Sequence, residues 1–590
     1  MTGREPIEWP GSGPPRSTAF GDLYYSAQDG LAEARQVLLA GCGLPDAWRD
    51  RRAYCVGELG FGTGLNIAAL LDLWARERPA DAHLSIFSVE AFPVQAVDAA
   101  RSLSAWPELG NIADALTSRW PGRARGFHRV DLPQLNATLD LAVMEAADAL
   151  EAWSGAADAW FLDGFSPAKN PQMWRPEVLR AVAARSAPGA GLATFTVAGA
   201  VRRGLADAGF EVAKRQGHGA KRERLEARLP GAAPPAAHRP SVAVIGAGIA
   251  GASLVRAFAA QGVDAQLVTS DAPAASAGPA ALVTPRLDAG LGPQAALFAQ
   301  AFARARSIYT ESPANIIATG AVQLATGPKD EARFGAIASS DLFDDREVSF
   351  LTPAEASRRV GEAVAAGLTI EGALVVDPGS LLAVGETMRA TVAGVERAGA
   401  VWRLMDDAGR VVIEADIVCV AAGMASARLV SDLALKPVRG QASFAAGVGP
   451  VQTTLFGGYI APAPGGVVFG ATHDRDDEDL APRAEDHRRN LANLAAVLPE
   501  IARALEGRPL EARVGVRATT SDYLPLAGAA ASAGLFVLTG LGSRGFTLAP
   551  LLAEHIAAQA LGRPSPLPGP LAALVDPARF AARARRRGRQ

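Results

Sequence analysis

The chain has 590 residues, 49 % of them hydrophobic and 20 % charged, with a formal net charge of −3. That supplies apolar material for at least two domain cores, and it excludes a uniformly basic nucleic-acid binder while leaving room for a local groove of arginines. Three cysteines without a Cys-x-x-Cys spacing, and seven histidines without an HxH or HxxxH pair, give no disulfide framework and no metal site to expect; a reducing cytoplasm fits.

The start, Met1-Thr-Gly-Arg-Glu-Pro6, lacks the apolar core of a signal peptide. Residues 440–472 and 523–543 carry no charge, but Gly, Pro, Ser and Thr lace both, so buried strands and cofactor loops are expected there and no membrane helix. Before residue 230, strand-like runs (84–90, 159–163, 192–197) alternate with helical ones (67–76, 176–184, 200–208). This alternation implies a parallel, doubly wound α/β sheet.

A first glycine loop lies in Tyr54-Cys-Val-Gly-Glu58-Leu-Gly60-Phe-Gly62-Thr-Gly64-Leu-Asn66. Gly60, Gly62 and Gly64 allow a tight turn and close backbone approach to a ligand. A dinucleotide fingerprint would want glycine at 65, where leucine stands, and Glu58 would repel a pyrophosphate. The loop therefore suits S-adenosylmethionine, with Glu58 meeting the ammonium directly or through water. Glu90, closing the next strand, suits the ribose diol. Asp148 suits the adenine amino group or is an exposed helix carboxylate.

Further on, Trp160-Phe-Leu-Asp163-Gly-Phe165-Ser-Pro-Ala-Lys169-Asn-Pro-Gln-Met-Trp174 carries the most chemistry of this half. An apolar strand delivers Asp163 to its C-terminal end, where doubly wound folds place ligands. An alkyl amine has a pKa of roughly 10, so its methylation needs a carboxylate to orient the nitrogen and accept its proton. Asp163 is the expected catalytic residue. Phe165 and Trp174 are available to stack a base, and Lys169, one of five lysines, is a candidate phosphate or substrate contact.

Pro and Ala interrupt the periodicity at 230–240, which reads as a semi-rigid linker. A second loop follows at once in Val242-Ala-Val-Ile-Gly246-Ala-Gly248-Ile-Ala-Gly251, opening a βαβ unit over 241–270. Its spacing is that of a dinucleotide site, read here as FAD, with Thr269 or Asp271 as the ribose contact. Residues 411–420 add a later strand ending in Ala421-Ala-Gly423, and 466–470 is one of several strand-rich pieces. The fold expected is an FAD-binding Rossmann domain with an inserted antiparallel-sheet substrate domain. Residues 535–547 read as strand, glycine loop (Gly540, Gly542, Gly545) and helix start, a cradle for a flavin ring. There Arg544 could stabilise a reduced anionic flavin or hold a substrate carboxylate. The domains expected are 1–229, the linker 230–240, 241–575, and a basic tail at 576–590 that is either a frayed solvated end or a phosphate-binding arm.

Taken together, Phe20-Gly-Asp-Leu-Tyr-Tyr-Ser, Gly57–Asn66, Leu162-Asp-Gly-Phe-Ser-Pro-Ala-Lys-Asn-Pro171, the 246–251 loop, Pro437-Val-Arg-Gly-Gln441, residues 513–528 and Gly540–Gly545 make the chain resemble a family of bifunctional tRNA-modifying enzymes. These enzymes complete 5-methylaminomethyl-2-thiouridine at the wobble uridine. The resemblance spans nearly the whole chain, with the Asp163 segment its most specific part. It implies a Rossmann-like S-adenosylmethionine methyltransferase followed by a D-amino-acid-oxidase-like FAD domain. The FAD domain would oxidise a carboxymethylaminomethyl group and release the primary amine. The methyltransferase would then methylate that amine. The implied partner is tRNA, the implied place the cytoplasm, and the implied state a monomer without metal or membrane. One departure is plain: Pro and Ala occupy 275–285, where the family carries Asn and Gln beside glycine in a flavin-contacting stretch. A small-molecule amine oxidase fused to a methyltransferase, or a methyltransferase with an inactive FAD-like RNA-docking module, are the alternatives.

Overall fold

Between Ala53–Leu59 (β1) and the helix Leu65–Glu77 (α1) the chain turns through three glycines in the left-handed region, and this turn anchors the first of two sheets on which the sites are built. The computed structural model describes residues 7–11, 13–219, 222–232, 239–287, 290–311 and 316–587; Arg586 and Arg587 are described by backbone alone. The expected linker is described only at 230–232, 239 and 240, and the tail residues 588–590 lie outside the described residues. The chain divides into two compact units, Met1–Arg239 with Ala260–Gly262 and Gly562–Gly569, and the remainder. The short segment Gly562–Gly569, expected with the second domain, thus groups with the first.

In the first unit the further strands are β2 (His83–Val89), β3 (Gly126–Leu132), β4 (Ala137–Val143), β5 (Ala157–Leu162), β6 (Ser186–Thr194), β7 (Glu211–Gln216) and β8 (Glu223–Arg228). Among the described residues they form one sheet in the order β3-β4-β2-β1-β5-β6-β8-β7. The centre, β4-β2-β1-β5-β6, is parallel, and the outer strands are antiparallel. Strands β2 and β4 are buried throughout, as expected for parallel strands covered on both faces. The order reverses between β1 and β5, so the C-terminal ends of β1, β2 and β5 open onto one crevice, where such sheets hold ligands.

The second unit carries a six-stranded sheet from β9 (Val242–Ile245), β10 (Ala265–Thr269), β11 (Thr387–Arg389), β12 (Ile417–Val420), β13 (Leu526–Ala529) and β14 (Leu535–Thr539), in the order β11-β10-β9-β12-β14-β13. Only the β13–β14 pair is antiparallel among the described residues. A helix, α2 (Ile249–Ala260), follows the second glycine loop. A separate sheet, mostly antiparallel, is built on long pairs such as Lys436–Ala446 with Leu510–Thr519, and includes Gly466–Gly470 as expected.

One expected strand divides. Residues 411–420 break at Asp416: Val411–Ala415 joins a three-stranded antiparallel sheet, and β12 begins at Ile417. The reason is local. The Asp416 carboxylate accepts from both the backbone N–H (2.8 Å) and the hydroxyl (2.7 Å) of Ser241, which turns the chain between two sheets. The basic tail also differs from a frayed end: Arg579–Arg587 is helical, and Arg579 is buried, pairing with Asp522 at 2.9 Å and donating to the carbonyls of Leu524 and Pro525.

Candidate functional site

The first loop is shaped by its neighbours. Gly60, Gly62 and Gly64 have φ of 98°, 52° and 77°, values costly for any residue with a Cβ. Gly60 abuts the 163–164 backbone, so the glycine turn and the end of β5 meet without an intervening side chain. Above them opens a cavity of about 930 Å³, lined by Gly60, Gly62, Asn66, Glu90, Asp148, Asp163 and Phe165. A small cofactor and a reacting nucleotide head group both fit within a space of this size.

Glu90 is held in place by backbone N–H groups, Gly62 on Oε2 (2.9 Å) and Phe92 on Oε1 (3.0 Å). Burial raises its pKa against those bonds. A carboxylate so oriented at the end of β2 fits a ribose diol. Asp148 lines the cavity from the first turn of its helix and remains largely exposed, with Arg125 3.9 Å away. Asp163 follows β5, its N–H bonded to the Leu59 carbonyl (3.1 Å) and its Oδ2 accepting from Asn66 Nδ2 at 2.7 Å.

Glu58 lies elsewhere. It is fully buried and does not line the cavity. Its Oε2 accepts from the Ser88 hydroxyl at 2.5 Å, and its Oε1 has no hydrogen-bond partner. Burial pushes this carboxyl up to about 8. A direct contact with a cofactor ammonium is therefore not what this geometry offers.

Trp174 also departs from expectation. Its indole is 6 % exposed, packs in the apolar core edge-on to Phe195, and donates Nε1–H to the Phe165 carbonyl at 2.9 Å. Burying the ring there takes it away from any base. Phe165 does face the cavity, stacked on Phe20 (4.9 Å) with Tyr24 edge-on (5.3 Å). Lys169 does not line the cavity; it donates to the Gly21 carbonyl (2.5 Å) and to Asp22 Oδ1 (3.1 Å). Asp22 Oδ2 in turn accepts the Ser166 N–H at 3.0 Å. Burial alone would raise Asp22, yet Ser166 and Lys169 hold it below the usual range. Residues 20–24 thus form a wall that sequence reasoning used only as a family signature. Asn66 was quoted only as the end of the loop and given no role: an amide on a helix carries no signal of its own.

In the second unit Gly246 has φ 105°, and a Cβ there would fall 2.6 Å from the Ala421 carbonyl; at Gly251 it would fall 1.8 Å from the Gly246 carbonyl. These glycines pack α2 tightly onto β9 and bring the loop beside the 421–423 turn. A Cβ at Gly423 (φ 58°) would meet nothing within 4 Å, and one at Gly542 (φ 56°) would meet only Thr519 Cγ2 at 3.8 Å, so both turns border open space. The helix following the last loop, α3 (Gly545–Leu561), starts against Ile249, because a Cβ at Gly545 would sit 3.1 Å from Ile249 Cγ2. Tight glycine packing with a cradle open beyond it fits a dinucleotide bound through backbone amides.

Arg544 donates to the Thr284 hydroxyl, and burial together with Arg286 lowers its pKa to about 10. Asp271 turns to solvent, its side chain 95 % exposed and paired with Arg389 at 3.0 Å, while Thr269 Oγ1 donates to the Ser270 carbonyl. Ser276, within the departing 275–285 segment, accepts the Ile249 N–H at 3.1 Å and so caps the helix beside the glycines. Arg517, quoted in the sequence only within the 513–528 signature, lies over Gly440 with Tyr459 as a near neighbour, and burial lowers its pKa. Among the described residues no group of three or more His, Cys, Asp or Glu could hold a metal ion, and no helix is long and apolar enough to cross a membrane.

Two such sites in one chain define a methyltransferase fused to a flavin-dependent oxidoreductase. Residues 107–230 match the family of S-adenosyl-L-methionine-dependent methyltransferases, and residues 241–559 that of FAD dependent oxidoreductases. The chain is 55 % identical over 590 residues, covering 98 % of each protein, to the tRNA 5-methylaminomethyl-2-thiouridine biosynthesis bifunctional protein MnmC of Caulobacter sp. (strain K31). It is also 55 % identical over 582 residues, again 98 % of each, to the protein of that name from Caulobacter vibrioides. The chain belongs to this bifunctional MnmC family. Among solved structures, an iminodiacetate oxidase from Chelativorans sp. aligns at 25 % identity and a TM-score of 0.48, over 55 % of this chain and 96 % of its own.

Proposed function

We propose that this chain acts on the wobble uridine of tRNA in two successive reactions: oxidative removal of the carboxymethyl group from 5-carboxymethylaminomethyl-(2-thio)uridine, then methylation of the aminomethyl group left behind. The observation that carries the second reaction is Asp163, a carboxylate at the end of β5 lining the cavity bounded by the Gly60–Gly64 turn and Glu90. Bound S-adenosylmethionine supplies an electrophilic methyl carbon, and bound FAD a two-electron acceptor.

Gly60, Gly62 and Gly64 cradle the first cofactor, Glu90 takes its ribose and Asp148 its adenine edge. Phe165, with Phe20 and Tyr24 behind it, offers a ring face to the target base. Asp163 orients the primary amine toward the methyl carbon and accepts the proton that the nitrogen must shed. In the oxidoreductase unit Gly246, Gly248, Gly251, Gly423, Gly540, Gly542 and Gly545 approach the second cofactor through backbone, and Asp271 stays a candidate only for its outer ribose edge. Arg544 places a cation where negative charge develops on oxidation. The protein works as a monomer in the cytoplasm, where its tRNA substrate is found.

Nucleoside mass spectrometry of tRNA from a deletion strain tests this reading. The carboxymethylaminomethyl nucleoside should accumulate and the methylaminomethyl nucleoside disappear. An unchanged wobble position would overturn it.

A further inference from the structure

We propose that Asn66 is a positioning residue for methyl transfer: its side-chain amide sets the orientation of the Asp163 carboxylate. This rests on the reading of Asp163 as the group that handles the substrate amine. Asn66 is the second residue of α1, 9 % exposed, and lines the cavity. Its Nδ2 lies 2.7 Å from Asp163 Oδ2, the short end of charge-assisted N–H···O⁻ geometry.

Behind this pair lies Glu58, whose carboxyl feels the charges of both Asp163 and Glu90. A fully buried carboxyl beside like charges resists ionisation. Glu58 is the one that keeps its proton through neutral pH, since its carboxyl is pushed up to about 8. It is fully buried, its Oε1 is unpartnered, and burial with the added repulsion of Asp163 and Glu90 outweighs the pull of Ser88 and Asn66. An amide suits the position between Glu58 and Asp163 because it donates without carrying a charge and does not titrate. The other charged groups lining the cavity are Asp22, Glu33, Glu145, Asp148 and Arg175.

The test is methylation of an aminomethyluridine-bearing anticodon stem-loop, at saturating S-adenosylmethionine between pH 6 and 9, with the full-length protein. Asn66→Ala should lower kcat by ~10- to 100-fold, the size of effect expected for losing a hydrogen bond to a charged group, while the affinity for S-adenosylmethionine changes by less than about threefold. Asn66→Asp replaces the amide with a carboxyl group of the same shape. The two adjacent carboxylates should then share a proton, moving the acid limb of the pH–rate profile upward by about one pH unit or more, with activity recovering toward pH 9. A residue that merely shapes the helix would lower the rate by the same factor at every pH. That parallel profile, or loss of cofactor binding in step with kcat, would overturn the proposal. Asp163→Ala is run alongside: if it retains methylation, the reading of Asp163 itself falls, and the role of Asn66 falls with it.

Discussion

A Cβ placed on Gly60 would fall 2.9 Å from the Asp163 carbonyl oxygen, and 2.8 Å from the Cα of the next residue, Gly164. The two strands that carry the glycine turn and the Asp163 carboxylate are therefore spaced by the absence of a side chain. Gly60→Ala must either push β1 from β5 or distort a turn whose φ is 98°. The cost expected is on the order of 1–3 kcal/mol, with loss of S-adenosylmethionine binding as the functional sign. Calorimetric titration of the cofactor, beside a melting curve, checks both; wild-type affinity would show that the turn tolerates a methyl group.

Removing the Asp163 carboxylate is expected to separate the two activities. Asp163→Ala should reduce methylation by roughly 10²- to 10⁴-fold, the usual contribution of a positioned acid–base group, and leave flavin reduction by the carboxymethylaminomethyl substrate intact. The aminomethyl nucleoside should then accumulate in tRNA. Equal loss of both reactions would contradict separate sites.

Glu58 makes a pH-dependent prediction about stability. Its folded carboxyl titrates at about 8, raised by burial. Below the ordinary carboxylate range both folded and unfolded chains hold the proton, and no penalty arises. As pH rises toward 8 the unfolded chain ionises while the folded one does not, so stability drains away across that window and levels off above it. Glu58→Gln removes the titration. Because each tenfold difference in proton affinity between the folded and unfolded chains is worth about 1.4 kcal/mol, the variant should gain on the order of 10 °C in Tm over wild type at pH 8 and almost nothing at pH 4. A Tm difference independent of pH would rule the buried neutral acid out.

Trp174 is expected to act on stability. Trp174→Ala empties a core site and removes the donor to the Phe165 carbonyl, for a loss of about 3–5 kcal/mol, whereas Trp174→Phe keeps most of the packing and loses ~1 kcal/mol with the hydrogen bond. Chemical denaturation measures both, and base stacking would instead raise KM for RNA with stability unchanged.

The C-terminal helix offers a contrast. Arg579 and Arg583 both pair with Asp522, whose burial would raise its pKa but whose two arginine partners hold it well below the usual range. The clasp therefore stays charged from neutral pH down through the ordinary carboxylate range and is lost only in stronger acid. Truncation after residue 575 should lower the Tm of the oxidoreductase unit by several degrees at pH 7. An unchanged Tm with weakened RNA binding would favour a phosphate-binding arm.

Much of the site was legible because its strongest signals are local. A glycine triplet between an apolar run and a helical pattern needs no distant residue to make its turn, and an apolar strand carries Asp163 to its own end. Two side chains point elsewhere than expected, for a different reason. Glu58 and Trp174 sit in chemically suggestive segments, yet the direction of a side chain depends on what packs behind it: Ser88 and a buried floor for one, Phe195 and the core for the other. Residues 411–420 looked like one strand because apolar alternation does not record which sheet each half will join.

Two glycine loops, a doubly wound first half and the arrival of the Asp163 carboxylate at the end of its strand were determined by the order of residues alone, since each rests on backbone freedom or period within a few turns of chain. Only tertiary structure decided that Asn66 stands 2.7 Å from Asp163, that residues 20–24 wall the cavity, that Lys169 answers Asp22, and that Asp271 faces solvent. Those relations join segments up to 147 residues apart, and the free energy that selects them is burial and pairing summed over the folded sheet, a quantity no local window of sequence contains.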